Sequence, residues 1–82
     1  MGSGGMGMPH ITVQMFPGRD DGKKRELAGR LAETAARVLA VPEALVSVSI
    51  RDVSEEDWDE KVYDVFMREK EFLYREPDYG AE

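Results

Sequence analysis

Two runs that alternate apolar and polar side chains, separated by one long amphipathic run, constrain the fold of this 82-residue chain most. Residues 10–16 (HITVQMF) and 46–53 (VSVSIRDV) show the alternation, which predicts two strands. Between them, residues 23–40 carry leucine, alanine and valine three or four positions apart, which predicts a helix. A helix between two strands requires a crossover, so we expect parallel strands and a right-handed connection.

Local signals place the ends of the helices. Pro17 and Gly18 form a turn signal after the first strand, and Asp20 or Asp21 can cap the helix that follows. Pro42 marks the end of that helix, because proline cannot occupy a helix interior. Ser54 resembles the N-cap of a second helix. We expect that helix to carry the apolar residues Trp58, Val62, Val65, Phe66, Phe72 and Leu73.

The predicted fold class is therefore α/β, with the element order β-α-β-α. Two strands are too few for a stable sheet, and a chain of this size buries a marginal core. With no cysteine, disulfides cannot provide the missing stability. We expect a homodimer, in which a second copy extends the sheet to four strands.

Charge and composition exclude several classes of function. The net charge is −6, from 17 acidic and 11 basic side chains, which argues against nucleic acid and against an anionic membrane as partners. A single histidine, His10, argues against a metal site built from histidines, and we expect no metal or organic cofactor. No apolar run reaches membrane-spanning length, so a cytoplasmic protein is expected.

The first residues decide what chemistry Pro9 could perform. Residues 1–7 (MGSGGMG) have the composition of a glycine-rich expression leader and are predicted to be disordered, with residues 8–82 forming one domain. If Met8 is the natural start, its removal leaves Pro9 as a free secondary amine, which can act as a base or nucleophile. An internal proline is a tertiary amide with almost no basicity. We therefore expect the chain to be inactive while the leader is attached.

Several short motifs carry a resemblance to a known family. A strand opens with Pro9-His10-Ile11, Phe16-Pro17 ends it, a Gly-Arg pair follows, and Trp58 lies in the second helix. In this order the chain resembles the 4-oxalocrotonate tautomerase superfamily, from Pro9 to Gly80, and is most similar to its small dimeric phenylenolpyruvate tautomerase (PptA-like) branch. The resemblance implies a tautomerase (4-oxalocrotonate tautomerase/MIF-like) fold, with two parallel strands per chain and a sheet extended by dimerisation.

The resemblance also implies roles for individual residues. In that family an N-terminal proline is the general base, and Pro9 is the matching position. Arg19 matches an arginine that contacts a substrate carboxylate, and Trp58 matches an aromatic wall of the site. The second arginine of hexameric members falls at Ser47, so a tautomerase activity weaker than, or different from, 4-oxalocrotonate turnover is expected. Arg51 lies on the same strand face as Ser47 and could supply the missing cation.

The predicted function is cofactor-independent tautomerisation of a small 2-keto or enol carboxylic acid, such as a phenylenolpyruvate-like compound. The residues alone leave alternative roles open. Pro9 could merely begin an edge strand, and Trp58 could belong to the core or to a dimer interface. Arg19 could pair with Asp20 or Asp21, and Arg51 could form a salt bridge at a rim or interface. Ser47 could bind a substrate oxygen or be an ordinary strand residue, and His10 could assist Pro9 or form an interface hydrogen bond. Two other functions are considered: a hydratase or dehalogenase, and a non-catalytic dimeric module that keeps only the fold.

Overall fold

A computed structural model describes residues 7–79 of the chain. Residues 1–6 of the predicted leader and residues 80–82, including Gly80, lie outside the described part, and the domain boundary at residue 8 stays a prediction. The elements follow in the order β1 (His10–Met15), α1 (Asp21–Leu39), β2 (Ser47–Asp52), α2 (Glu55–Trp58) and α3 (Asp64–Arg68). A π-helical turn, Asp59–Tyr63, joins α2 to α3, and 3₁₀ turns occupy Glu43–Leu45 and Lys70–Phe72.

The two strands are parallel, which confirms the predicted crossover topology. Their register runs from His10 opposite Ser47 to Met15 opposite Asp52. Phe16, which we expected to end the first strand, follows it instead. Side chains on β1 alternate between exposed and half-buried, as the sequence pattern predicts. Helix α1 packs against β2, and Lys24 Nζ lies 3.1 Å from Asp52 Oδ2 between the two elements.

The start of α1 is set by one side-chain hydrogen bond. Asp20 adopts an extended backbone, and its carboxylate accepts a hydrogen bond from the backbone N–H of Lys23 at 2.9 Å. Asp20 is therefore the N-cap, which settles the choice between Asp20 and Asp21. The helix ends at Leu39, and Ala40 turns into the left-handed region with φ 58° before Pro42.

The second helical segment ends earlier than its sequence predicts. The Ser54 hydroxyl caps it by accepting from the backbone N–H of Asp57 at 3.3 Å. The segment ends at Arg68, so the prediction that Phe72 and Leu73 belong to this helix was wrong. Glu69 leaves the helical region at φ −117° and ψ 45°. Phe72 is 71% exposed, so little packing is present to hold another helical turn in place.

The single chain has a small core. Among residues 7–79 only Val62, on the π-helical turn, is buried, at 6% exposure, and none is completely shielded from solvent. The apolar side chains of both strands are half-buried, and Val38 and Leu39 at the end of α1 are exposed. Within the described residues, no helix combines the length and the apolar character needed to cross a membrane.

Candidate active site

The loop between β1 and α1 carries Arg19 to the end of the sheet. Gly18 has φ 130°, a backbone conformation that favours glycine, and no neighbouring atom would obstruct a side chain there. The need for glycine at this position is therefore conformational. Loops that follow the carboxyl ends of parallel strands are the usual place for ligands in α/β folds.

A cavity of about 830 Å³ opens beside this loop. Its volume lies within the range of small-molecule sites, which is about 300–1,000 Å³. Residues from β1 and its loop, from α1, from α2 and the π-helical turn, and from the C-terminal segment form its wall. These residues are Gln14, Met15, Phe16, Arg19, Leu27, Glu55, Trp58, Asp59 and Tyr79. The cavity thus combines aromatic rings, one guanidinium and two carboxylates.

The aromatic part of the wall is held together by specific contacts. The Phe16 and Trp58 rings meet edge to face, with centroids 5.1 Å apart and planes at 88°. Trp58 Nε1 donates a hydrogen bond to the phenol oxygen of Tyr79 at 3.0 Å. Trp58 is half-buried, so it packs against Phe16 and also forms part of the cavity wall, while its role in a substrate site stays a prediction.

Arg19 is exposed at the cavity, near acidic residues but not paired with them. Within residues 7–79 it takes part in no ion pair, while Asp20 serves as the cap of α1. This argues against the alternative in which Arg19 pairs with Asp20 or Asp21. Because guanidinium binds carboxylates through paired hydrogen bonds, Arg19 is available to a carboxylate ligand.

Pro9 lies at the other end of β1. Its carbonyl oxygen accepts a hydrogen bond from the backbone N–H of Ser47 at 3.1 Å, so Pro9 and Ser47 are neighbours. The six residues of β1 separate Pro9 from Phe16 and the Arg19 loop. At about 3.3 Å per residue, the seven steps from Pro9 to Phe16 separate them by about 23 Å. Within one chain, therefore, the predicted base and the predicted carboxylate ligand are not brought together.

His10 lies beside Pro9 on the polar face of the sheet. Its Nδ1 is 2.6 Å from the hydroxyl oxygen of Ser47, and its Nε2 is 3.2 Å from that of Ser49. Both ring nitrogens are thus engaged across the strand pair, which fixes the imidazole orientation. These contacts lie within the chain and occupy the Ser47 hydroxyl, whereas an interface hydrogen bond of His10 stays a prediction.

Arg51 lines a different cavity. It lines a smaller cavity of about 350 Å³ with Gln14, Asp52, Val53 and Lys61, whereas Arg19 and Trp58 line the larger one. Gln14 contributes to both, since it lies opposite Arg51 in the strand register. Arg51 therefore lies at the same end of the sheet as Arg19 but does not share its cavity. Its role as a substitute cation stays a prediction.

Of the nine described residues that line the cavity, only Arg19 and Trp58 were predicted from the sequence as site residues; the charged or polar ones that were missed include Glu55, Asp59 and Tyr79. Glu55 lies in the first turn of the second helical segment, where the helix dipole alone explains an acidic residue. Asp59 lies one turn later and is exposed, so the sequence around it does not indicate a cavity. Tyr79 lies in a segment without periodicity, so nothing in its surroundings indicates a contact with Trp58. Among residues 7–79, no three histidine or acidic side chains are grouped closely enough to hold a metal ion.

Comparison with known proteins identifies related sequences. The sequence model of the tautomerase enzyme family matches residues 9–59. A probable tautomerase of Xylella fastidiosa (strain 9a5c) is 42% identical over 74 residues, covering 89% of this chain and 90% of that protein. The tautomerase PptA of Enterobacter sp. (strain 638) is 36% identical over 76 residues, covering 89% of this chain and 99% of that protein. A probable tautomerase of Streptococcus pyogenes serotype M3 is 33% identical over 48 residues, with coverages of 58% and 79%.

Proposed function

Because this chain belongs to the tautomerase enzyme family and is an isomerase, we propose that it interconverts the keto and enol forms of a small 2-keto carboxylic acid with an aromatic substituent. Pro9, as a free N-terminal amine, is the proposed general base. The observation that carries this proposal is the larger cavity, in which Arg19 lies among Phe16, Trp58 and Tyr79. Family membership also favours an enzyme over the non-catalytic module.

The cavity fits the two halves of such a substrate. The Arg19 guanidinium would bind the carboxylate through charge-assisted hydrogen bonds. The rings of Phe16 and Trp58 would pack against an aryl group, which gains from both apolar burial and edge-to-face contact. A phenylenolpyruvate-like acid has these two features at its opposite ends.

The charges of the cavity favour one carboxylate over two. Arg19 is the one basic residue among the described residues that line it, and Glu55 and Asp59 supply two carboxylates. A second carboxylate on the substrate would meet like charge and no further guanidinium. With Ser47 at the position of the family's second arginine, this supports a monocarboxylic substrate.

The chemistry requires a base that is partly neutral near the working pH. An α-amino group has an ordinary pKa of about 8, within reach of that requirement. In the proposed ketonisation, the Pro9 nitrogen accepts the proton of the enol hydroxyl, the carbonyl forms, and the ammonium then delivers a proton to C3. The reverse sequence gives the enol, and the amine is regenerated in both directions.

Because Pro9 and Arg19 are far apart within one chain, we propose that two subunits share each active site. The backbone N–H groups of Ser47 and Val53 donate to the carbonyls of Pro9 and Met15, so the odd-numbered residues of β1 hydrogen-bond to β2. The N–H and C=O groups of His10, Thr12 and Gln14 therefore point to the free edge of β1. Antiparallel pairing of two such edges across a two-fold axis would form a four-stranded sheet. Pro9 of one subunit would then lie near the cavity of the other.

The Pro9 proposal is tested by comparing three proteins. Phenylenolpyruvate ketonisation is followed for a chain that begins at Pro9, for the full 82-residue chain, and for Pro9→Ala in the chain without the leader. We expect activity only in the first, rising with pH through the pKa of the amine, because only the neutral amine accepts a proton. Equal rates in all three would contradict the proline mechanism.

A hydratase activity is the second candidate, supported by Glu55 and Asp59. Addition of water to an unsaturated acid needs a carboxylate that orients or deprotonates the water, and both residues line the Arg19 cavity. The two functions differ in product. The unsaturated 2-keto acid is incubated in H₂¹⁸O and the product is analysed by mass spectrometry. The carbonyl oxygen exchanges with water in either case, but only hydration adds a second ¹⁸O, as a new hydroxyl group.

A further inference from the structure

Tyr79 joins the C-terminal segment to the cavity. It lies 21 residues after Trp58, yet its phenol oxygen accepts the hydrogen bond from Trp58 Nε1 at 3.0 Å. The indole N–H is a donor only, so this contact satisfies the whole hydrogen-bonding capacity of the tryptophan. Tyr79 thereby fixes the orientation of the indole that faces the cavity.

A second ring holds Tyr79 itself in place. The centroid of Tyr63, on the π-helical turn, lies 5.8 Å from that of Tyr79, with the ring planes at 37°. Tyr63 in turn meets Phe66 edge to face, with centroids 5.3 Å apart. Tyr79 is thus restrained at its oxygen by Trp58 and at its ring by Tyr63, although it is about half exposed.

The three rings define a slot beside Arg19. Phe16 and Trp58 pack edge to face, and Tyr79 completes the same wall. We propose that Tyr79 is a specificity-determining residue that completes this slot and positions Trp58 for the flat aryl side chain of the substrate. This inference rests on the proposed function, since it concerns the aryl end of the same site. A small aliphatic acid would bind Arg19 without using the slot.

The chain provides its own spectroscopic probe of the proposal. Trp58 is the one tryptophan in the sequence, so intrinsic fluorescence at tryptophan wavelengths reports on this site alone. Cinnamate, a flat aryl carboxylate that cannot tautomerise, serves as the ligand. The variants are Tyr79→Phe, which keeps the ring and loses the hydrogen bond, and Tyr79→Ala, which loses both. Tyr74→Phe is the matched control, because Tyr74 belongs to the same segment and is 97% exposed.

We expect Tyr79→Phe to change the Trp58 emission and to weaken cinnamate binding about 3- to 10-fold, the scale of one neutral hydrogen bond. Tyr79→Ala should weaken it more than about 10-fold, because an aromatic contact is lost as well. Tyr74→Phe should leave both readouts unchanged. The titration uses the full chain and needs no turnover, so its result is independent of whether Pro9 acts as the base.

Steady-state kinetics add a readout that general loosening of the fold would not reproduce. In the chain that begins at Pro9, Tyr79→Phe should raise KM for phenylenolpyruvate and leave KM for a small aliphatic enol acid unchanged. Equal effects on both substrates, or wild-type affinity for cinnamate in both Tyr79 variants, would overturn the proposal. A wild-type chain that fails to bind cinnamate would overturn it too. A chain that binds cinnamate but lacks tautomerase activity would contradict the proposed function, but not the role proposed for Tyr79 in binding the aryl group.

Discussion

At the scale of single residues, the cavity is defined by an arginine that has no partner in the described part of the chain. Arg19 follows Gly18, whose positive φ turns the backbone from the strand towards the helix. A surface guanidinium held near Glu55 and Asp59, but outside ion-pair distance, remains free to exchange water for a ligand carboxylate. Under the proposed function, Arg19 contributes ligand affinity more than stability of the fold.

This argument predicts the kinetic effect of replacing Arg19. Arg19→Gln should lower kcat/KM for an aryl enol acid by about 10- to 100-fold, mainly through KM, since hydrogen bonds to charged groups contribute about 1.5–3 kcal/mol. Arg19→Lys should recover part of the loss, because it restores the charge but not the paired geometry. Arg25→Gln, on the exposed side of α1, is the control of equal charge change. Similar losses for Arg19→Gln and Arg25→Gln would indicate a general effect of net charge.

Local sequence identified part of the candidate site. Arg19 and Trp58 were proposed from short motifs whose order matches the family, and both lie in one cavity. Tyr79 could not be proposed in this way, because its contact with Trp58 spans 21 residues and depends on the path of an irregular segment. Asp59 could not be proposed from the sequence for another reason. An exposed acidic residue on a helix is common on protein surfaces and does not by itself indicate a cavity.

At the scale of elements, the start of α1 depends on Asp20. Replacing Asp20 with Ala removes the acceptor for the Lys23 N–H and should lower the free energy of unfolding by about 1 kcal/mol. Urea unfolding at fixed protein concentration measures the change, because assembly would otherwise shift the apparent stability. Glu33→Ala, at an exposed position inside α1, is the control and should change stability by less than about 0.5 kcal/mol. If Asp20→Ala left the free energy of unfolding unchanged, the cap would contribute little to stability.

The two helical segments show what sequence can and cannot predict about elements. The limits of α1 follow from an aspartate cap and a downstream proline, so the predicted and observed bounds agree within two residues. The second segment lacks a stop signal: residues 69–76 contain neither glycine nor proline, and Phe72 and Leu73 continue the helical spacing. Its end at Arg68 therefore reflects the lack of packing around the exposed Phe72, which local propensity does not encode.

At the scale of the whole molecule, the single chain leaves much of its apolar surface unused. Val62 is its one buried residue among 7–79, while Val38 and Phe72 are each more than two-thirds exposed. Both outer edges of the two-stranded sheet are also free within the described residues. Each feature favours association. The proposed reaction also requires it, because Pro9 and Arg19 lie far apart within one chain. These observations support the homodimer proposed above.

A shared site predicts that two impaired variants complement each other when activity is measured at substrate concentrations well below KM. Pro9→Ala and Arg19→Gln chains, each beginning at residue 9, are mixed, and subunit exchange is confirmed by native mass spectrometry. In a two-fold dimer the mixed species has one site with both substitutions and one site with neither. Because about half of the dimers in an equal mixture are mixed, activity should rise to about a quarter of wild type. If mixed dimers form but activity stays at the mean of the two parents, Pro9 and Arg19 do not meet across a subunit boundary. Residual catalysis by either parent is subtracted using the unmixed proteins.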